Sequence, residues 1–294
     1  MILYPGDAWP TARPEDVGAS SARLRAINPG IMGDATVIIG GREIWTWGEP
    51  GKPQTNLASC ARSFVTTAWG MAIQQGRIPG GLAVLDQPVR DLPSARAQTF
   101  GSGIKLKHLL SYTSQANPPG SSWSYSSGDH WPQQHEIFEQ VTGVTVAAYL
   151  NQELFSRLGG NLRAWMVDDG TARIGGSVRD QARWAYLWLH QGRWEDRQLL
   201  DPAFVVRALG GGPDGDGRPE PMEGYQIHLF KGGGRWSDGP APGVPDDAWM
   251  AAGAGDVAMI LGVPSLNDLI CVRHRSHGVS FGQVASAICR AVQG

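Results

Sequence analysis

Apolar positions along this chain follow two different periods. Ala35-Thr36-Val37-Ile38-Ile39 and Arg42-Glu43-Ile44-Trp45-Thr46-Trp47 flank Gly40-Gly41, and two β-rich runs around a two-residue glycine turn predict a hairpin. Residues 21–29 predict a short helix. From Ser59 to Gln75, Ala61, Phe64, Val65, Ala68 and Ala72 recur at helical spacing. That predicts a helix with one buried face, stopped at Gly76. Helical spacing then holds through the middle of the chain: Ile104 to Ser111, His130 to Val141, and Thr145 to Leu158 with Val146, Tyr149, Leu150, Leu154 and Leu158 on one stripe. Ser177 with Asp180 three residues on reads as a capping box. Asp201-Pro202 reads as an N-cap with a first-turn proline. Residues 210–224, rich in Gly, Pro and Asp, predict an exposed loop. Strand patterns return at Tyr225–Lys231, Val257–Gly262 and Asp268–Arg273, with a turn at Pro264–Asn267. Phe281, Val284, Ala285, Ile288 and Val292 predict a closing amphipathic helix.

Strands near both ends and helices between them define the expected fold class, α/β. The economical arrangement is one antiparallel sheet built from both chain ends, flanked by the terminal helices, with an all-helical subdomain inserted. The expected division is 1–75 with 205–294 for the sheet subdomain and 76–204 for the helical one, with a cleft between them.

Composition narrows the function classes. The chain has 294 residues, 41% apolar and 18% charged, enough for a sizeable core. The formal net charge is −2 and no long basic run occurs, so neither a nucleic-acid nor a membrane partner is expected. No run approaches the ~18 apolar residues of a membrane span. The first residues lack the basic and apolar regions of a secretory signal, which makes a cytoplasmic location the expectation. Cys60, Cys271 and Cys289 are odd in number and far apart, so a disulfide framework is not expected. Twelve tryptophans suit mainly packing, with some left for an aromatic-lined cleft.

The segment Asn56-Leu57-Ala58-Ser59-Cys60-Ala61-Arg62-Ser63-Phe64 puts a serine at the mouth of a buried helix. A nucleophile there feels the positive end of the helix, and Arg62 lies on the same face one turn on. Ser is also a good N-cap, which is the plain structural reading. Cys60 is rotated about 100° from Ser59 on the helix and reads as packing. His130 and His135 read as helix residues, with His130 within reach of the cleft. His274 and His277 read as surface loop, and Asp214-Gly215-Asp216-Gly217 as a turn rather than a calcium loop.

Several further segments occur in order. Ile104 to Ser114 resembles a helix and loop of pattern I-x-H-L-L-x-H-T-S-G. Trp123-Ser124-Tyr125-Ser126-Ser127-Gly128-Asp129 resembles a Tyr-x-Asn or Tyr-Ser-Ser motif, followed by an I-x-E-x-V-T-G-like helix at Ile137–Gly143. Arg173 to Trp194 resembles GG-x-x-x-T-x-x-D with its G-G-x-W sequel. Trp249-Met250-Ala251-Ala252-Gly253-Ala254-Gly255 resembles a strand carrying a third motif. Together with Ser59 and Arg62 in a Ser-x-x-Lys-like setting, these resemble the serine β-lactamase and penicillin-binding-protein superfamily. The likeness is to the class C-type branch that includes family VIII carboxylesterases, D-aminopeptidases and 6-aminohexanoate-dimer hydrolases.

The resemblance implies Ser59 as nucleophile, Tyr125 as general base and Ser127 as proton relay or substrate contact. It also implies an oxyanion hole from the backbone N–H groups of Ser59 and Ala254, and it places Trp249, Ala252, Gly253, Tyr112 and His130 around the substrate. Arg62 departs from the pattern: it stands at the lysine and cannot give up its proton, so its expected role is a fixed charge that lowers the Tyr125 pKa. The third motif holds Ala251 and Ala252 where a cation would grip a substrate carboxylate, and Asp256-Val257 replaces the usual Gly-Gln. Small esters or amides are therefore expected ahead of β-lactams, and no metal or organic cofactor is implied. Two alternatives remain open here: acyl transfer through the same acyl-serine, and a non-catalytic relative that binds a ligand or partner in the cleft.

Overall fold

The computed structural model describes residues 2–124, 130–210, 224–230, 235–236, 239–253, 258–275 and 280–293. β1 (Asp34–Ile39) and β2 (Arg42–Trp47) form the expected hairpin. Gly40 and Gly41 both take positive φ, 54° and 77°, as a tight two-residue turn requires. A Cβ on Gly41 would lie 2.4 Å from the Leu3 carbonyl, so the turn also needs glycine for closeness.

Four later strands complete the sheet: β3 (His228–Leu229), β4 (Trp249–Ala252), β5 (Ala258–Val263) and β6 (Leu269–His274). The order is β2-β1-β6-β5-β4-β3, antiparallel throughout. Both chain ends therefore meet at the β1–β6 pairing, where Val37 faces Cys271.

Side chains alternate cleanly between the two faces. Val37, Ile39, Met250, Met259 and Leu261 enter one core with the closing helix; Ile38, Trp249, Ala251 and Ile260 enter the other. That period of two is what a sheet covered on both sides demands.

Among the described residues the four longest helices are α1 (Cys60–Gln74), α2 (Trp131–Thr142), α3 (Val178–Leu189) and α4 (Phe281–Val292). α4 covers the outer face with the short helix Ser21–Ala26. α3 begins with the expected capping box: Ser177 Oγ accepts from the Asp180 N–H, and Asp180 accepts from the Ser177 N–H at 3.0 Å. It lies inside 76–204 in the chain, yet packs on β5 and β6.

α1 is buried on nearly every side rather than on one face. It sits between the sheet and the interposed helices, so both flanks are covered. A polar pin fixes it there. The Thr67 hydroxyl donates to the Ser63 carbonyl and accepts from the indole N–H groups of Trp184 (2.8 Å) and Trp188 (3.1 Å). Gly70 gives Phe204 room, since a Cβ there would come within 2.5 Å of its ring.

The structure adds detail that periodicity missed. The interposed segment also carries two small hairpins, Arg163–Met166 with Ala172–Gly175 and Arg193–Trp194 with Arg197–Gln198. The Thr145–Leu158 stripe is helical, but Leu150–Phe155 widens into a π turn. The strand expected over Tyr225–Lys231 shortens, because Gln226 takes φ 57° and bends the chain before His228. Most of the expected 210–224 loop lies outside the described residues. Among the described residues no helix is long and apolar enough to cross a membrane.

Candidate active site

The approach to Ser59 is built from short-range geometry. Asn56 Oδ1 accepts from the Ala58 N–H at 2.8 Å, an Asx turn of the kind that ends an extended run. Ala58 then takes φ 48°, a left-handed conformation that costs a non-glycine residue ~1–3 kcal/mol and persists only where packing enforces it. The packing is visible. A Cβ on Gly253 would lie 2.6 Å from the Leu57 carbonyl and 3.1 Å from Ala58 Cβ, so the end of β4 is pressed against this turn. Gly253 also donates to the Ala258 carbonyl at 2.9 Å. His274, expected in a surface loop, instead ends β6, and its Nε2 lies 3.2 Å from the Asn56 carbonyl.

Ser59 follows as the first residue of the α1 mouth, half-buried. Its hydroxyl makes no capping bond to the first turn, so capping does not explain the serine. Cys60 is fully buried, with Sγ directed at the Ala258 carbonyl, and burial pushes its thiol pKa far up. It packs, as expected.

Arg62 lies one turn on, its N–H bonded to the Ser59 carbonyl at 3.0 Å. Its guanidinium lies near two aromatic rings, with Cζ 5.1 Å from the Tyr112 centroid and 5.2 Å from that of Trp131. Nη1 donates to the Tyr112 hydroxyl. Tyr112, expected as a substrate contact, is 2% exposed and is a partner of the arginine. Its backbone is also left-handed, φ 56°, and its carbonyl accepts from the Ser124 N–H at 3.0 Å.

Trp131 was not singled out in the sequence. It opens α2 and meets the edge of His135 at 4.3 Å. The His135 ring is held at both nitrogens: Nδ1 lies 2.9 Å from the Trp131 carbonyl, and Nε2 accepts from the Ala172 N–H at 3.1 Å. Burial, aided by the positive charge of Arg62 and Arg173 and opposed by the Trp131 hydrogen bond and Asp169, brings the His135 pKa down to about 4.

The remaining expected residues divide. His130 is half-buried, with Nδ1 2.8 Å from Ser114 Oγ and its ring against Phe100. Trp249, expected beside the substrate, is 1% exposed and packs on Trp184 and Trp188. It is a core residue because β4 turns that side chain toward α3. Ala252 points to the outer core, whereas Gly253 reaches the Ser59 turn. Tyr125, Ser127 and Ala254 lie outside the described residues. Among the described residues no His, Cys, Asp and Glu cluster suits a metal. A groove of about 740 Å³ between Ser21–Ala26 and α4, bordered by Arg23, Ile27, Ile31 and Arg290, contains none of the residues above.

Residues 25–264 match the family model Beta-lactamase. The chain belongs to the β-lactamase family. Solved structures of that fold agree with it over nearly its whole length. A putative 6-aminohexanoate-dimer hydrolase from Bacillus anthracis matches with TM-score 0.65 at 16% identity, over 98% of this chain and 87% of that one. A class C β-lactamase from Rhodobacter sphaeroides matches with TM-score 0.62 at 16% identity, over 92% and 97%. EstCE1, described as a hydrolase with promiscuous acyltransferase activity, matches with TM-score 0.63 at 14% identity, over 96% and 98%. No curated protein sequence matches the chain. Members of the β-lactamase family are generally hydrolases.

Proposed function

We propose that the protein is a serine hydrolase of small esters or amides, working through an acyl-serine at Ser59. The observation that carries the reading is the Ser59 turn. A strained Ala58, braced by Gly253, presents a half-buried hydroxyl at the mouth of a long buried helix, with a fixed cation one turn away. Strain held in place by packing is a feature of functional sites.

In the proposed reaction Ser59 Oγ forms a bond to the acyl carbon while its proton passes to Tyr125. The tetrahedral oxyanion is met by the backbone N–H groups of Ser59 and Ala254. Its collapse breaks the bond to the leaving group, which takes the proton back from Tyr125. Water then repeats the sequence and releases the acid. A free phenol titrates near ~10, so Tyr125 needs a nearby cation to act near neutrality, and Arg62 supplies that charge without a proton of its own to exchange. Transfer of the acyl group to an alcohol or amine uses the same intermediate.

One observation favours a second reading, a cleft that binds without turnover: the Arg62 guanidinium is already engaged by Tyr112. A fluorophosphonate probe separates the two. The hydrolase forms a covalent adduct that Ser59→Ala abolishes and Tyr125→Phe greatly slows. A binding module takes no label at any pH at which it stays folded.

A further inference from the structure

We propose that Tyr112 and Trp131 are positioning residues that clamp the Arg62 guanidinium. The inference rests on the hydrolase reading and assigns how its cation is held.

Four observations converge. The guanidinium Cζ lies 5.2 Å from the Trp131 ring centroid and 5.1 Å from that of Tyr112, whose hydroxyl accepts from Nη1. A guanidinium, with its N–H donors fixed in one plane, can bond the phenol oxygen while its charge lies near the indole, and a compact lysine ammonium matches that combination less well. Tyr112 is buried and left-handed at φ 56°, a conformation that surrounding structure must impose. Its carbonyl also accepts from Ser124, the residue just before Tyr125. One residue thus touches the cation through its side chain and the approach to the proposed base through its backbone. Trp131 is fixed from behind by His135, itself bonded at both ring nitrogens.

The physical consequence is a charge with little freedom. An unrestrained arginine samples many rotamers, and its field at the base averages over them. Clamped, it acts from one place. The Tyr112 hydroxyl and the Arg62 guanidinium share one hydrogen bond, so substituting either residue removes the same contact. Replacing either alone should therefore do most of the harm of replacing both.

The test is a double-mutant cycle on Ser59 labelling by a fluorophosphonate, followed from neutral to alkaline pH in the full chain. Tyr112→Phe keeps the ring and removes the acceptor. We expect it to slow labelling about tenfold and move the midpoint of the pH profile upward, while in an Arg62→Met background it changes the rate less than about twofold. Trp131→Leu should behave like Tyr112→Phe. Equal labelling by Tyr112→Phe and wild type, or the same fold-loss in both backgrounds, overturns the clamp and leaves the hydrolase reading standing. Nitrogen NMR of the Arg62 guanidinium supplies a readout independent of turnover. Slow Cζ–Nη rotation in the wild type that becomes fast in Tyr112→Phe supports the clamp, and rotation unchanged by the substitution overturns it. A wild type that takes no label while showing the restrained guanidinium refutes the hydrolase reading alone.

Discussion

Acidification should destabilise the protein through His135, and the size of the effect follows from the ring's surroundings. His135 is 2% exposed and uses Nε2 to accept from the Ala172 N–H. A protonated ring cannot accept, so protonation both charges a buried group and orphans a backbone donor. Its folded pKa is about 4 against the ordinary 6.5. Folding therefore holds the ring neutral. The stability it contributes is complete above pH 6.5 and is lost as pH falls through that value toward 4, where the unfolded chain binds the extra proton. At ~1.4 kcal/mol per pH unit, the whole window is worth ~3 kcal/mol. Urea unfolding at pH 7.0 and pH 4.5 in wild type and His135→Gln measures it. The wild type should lose ~2–3 kcal/mol more than the variant over that interval. Equal losses in the two proteins would refute the argument. Because Trp131 lies between His135 and Arg62, the labelling rate of Ser59 should fall in the same window, and should do so less in His135→Gln.

Two other substitutions probe the frame and the charge. Thr67→Val keeps the shape but leaves two buried indole N–H groups without their acceptor, which should cost ~2–4 kcal/mol in urea unfolding; Thr67→Ser, which restores the hydroxyl, should recover most of it. Arg62→Lys keeps the charge but loses the guanidinium's bond to the Tyr112 hydroxyl and its place near the Trp131 ring; labelling should fall about tenfold with a shifted pH profile, whereas Arg62→Met should lose much more.

How much was legible from sequence depends on whether the signal is local. The glycine hairpin, the Ser177–Asp180 capping box and the Asp201 N-cap are written within a few residues each, and all three appear as read. The period-two strands at both ends gave the sheet, although β3 shrank because the left-handed Gln226 carries no pattern. The position of Ser59 was legible, since helix onset is local. Its restraint was not. Ala58 gives no sign of φ 48°, and the Gly253 contact that imposes it comes from the far end of the chain. Nothing local in the sequence ties Tyr112 to Arg62, and Trp131 reads like any helix aromatic. Only the folded chain brings both onto Arg62. Trp249 shows the opposite error: one residue of register separates a substrate wall from the core, and alternation along β4 put it in the core.

The central claim is that the Ser59 hydroxyl is an activated nucleophile. Intact-mass measurement after incubation with a fluorophosphonate tests it most directly. One adduct per chain, mapped to Ser59 and absent from Ser59→Ala, is the predicted result; a native chain that stays unmodified at every pH, or an adduct that survives in Ser59→Ala, contradicts it.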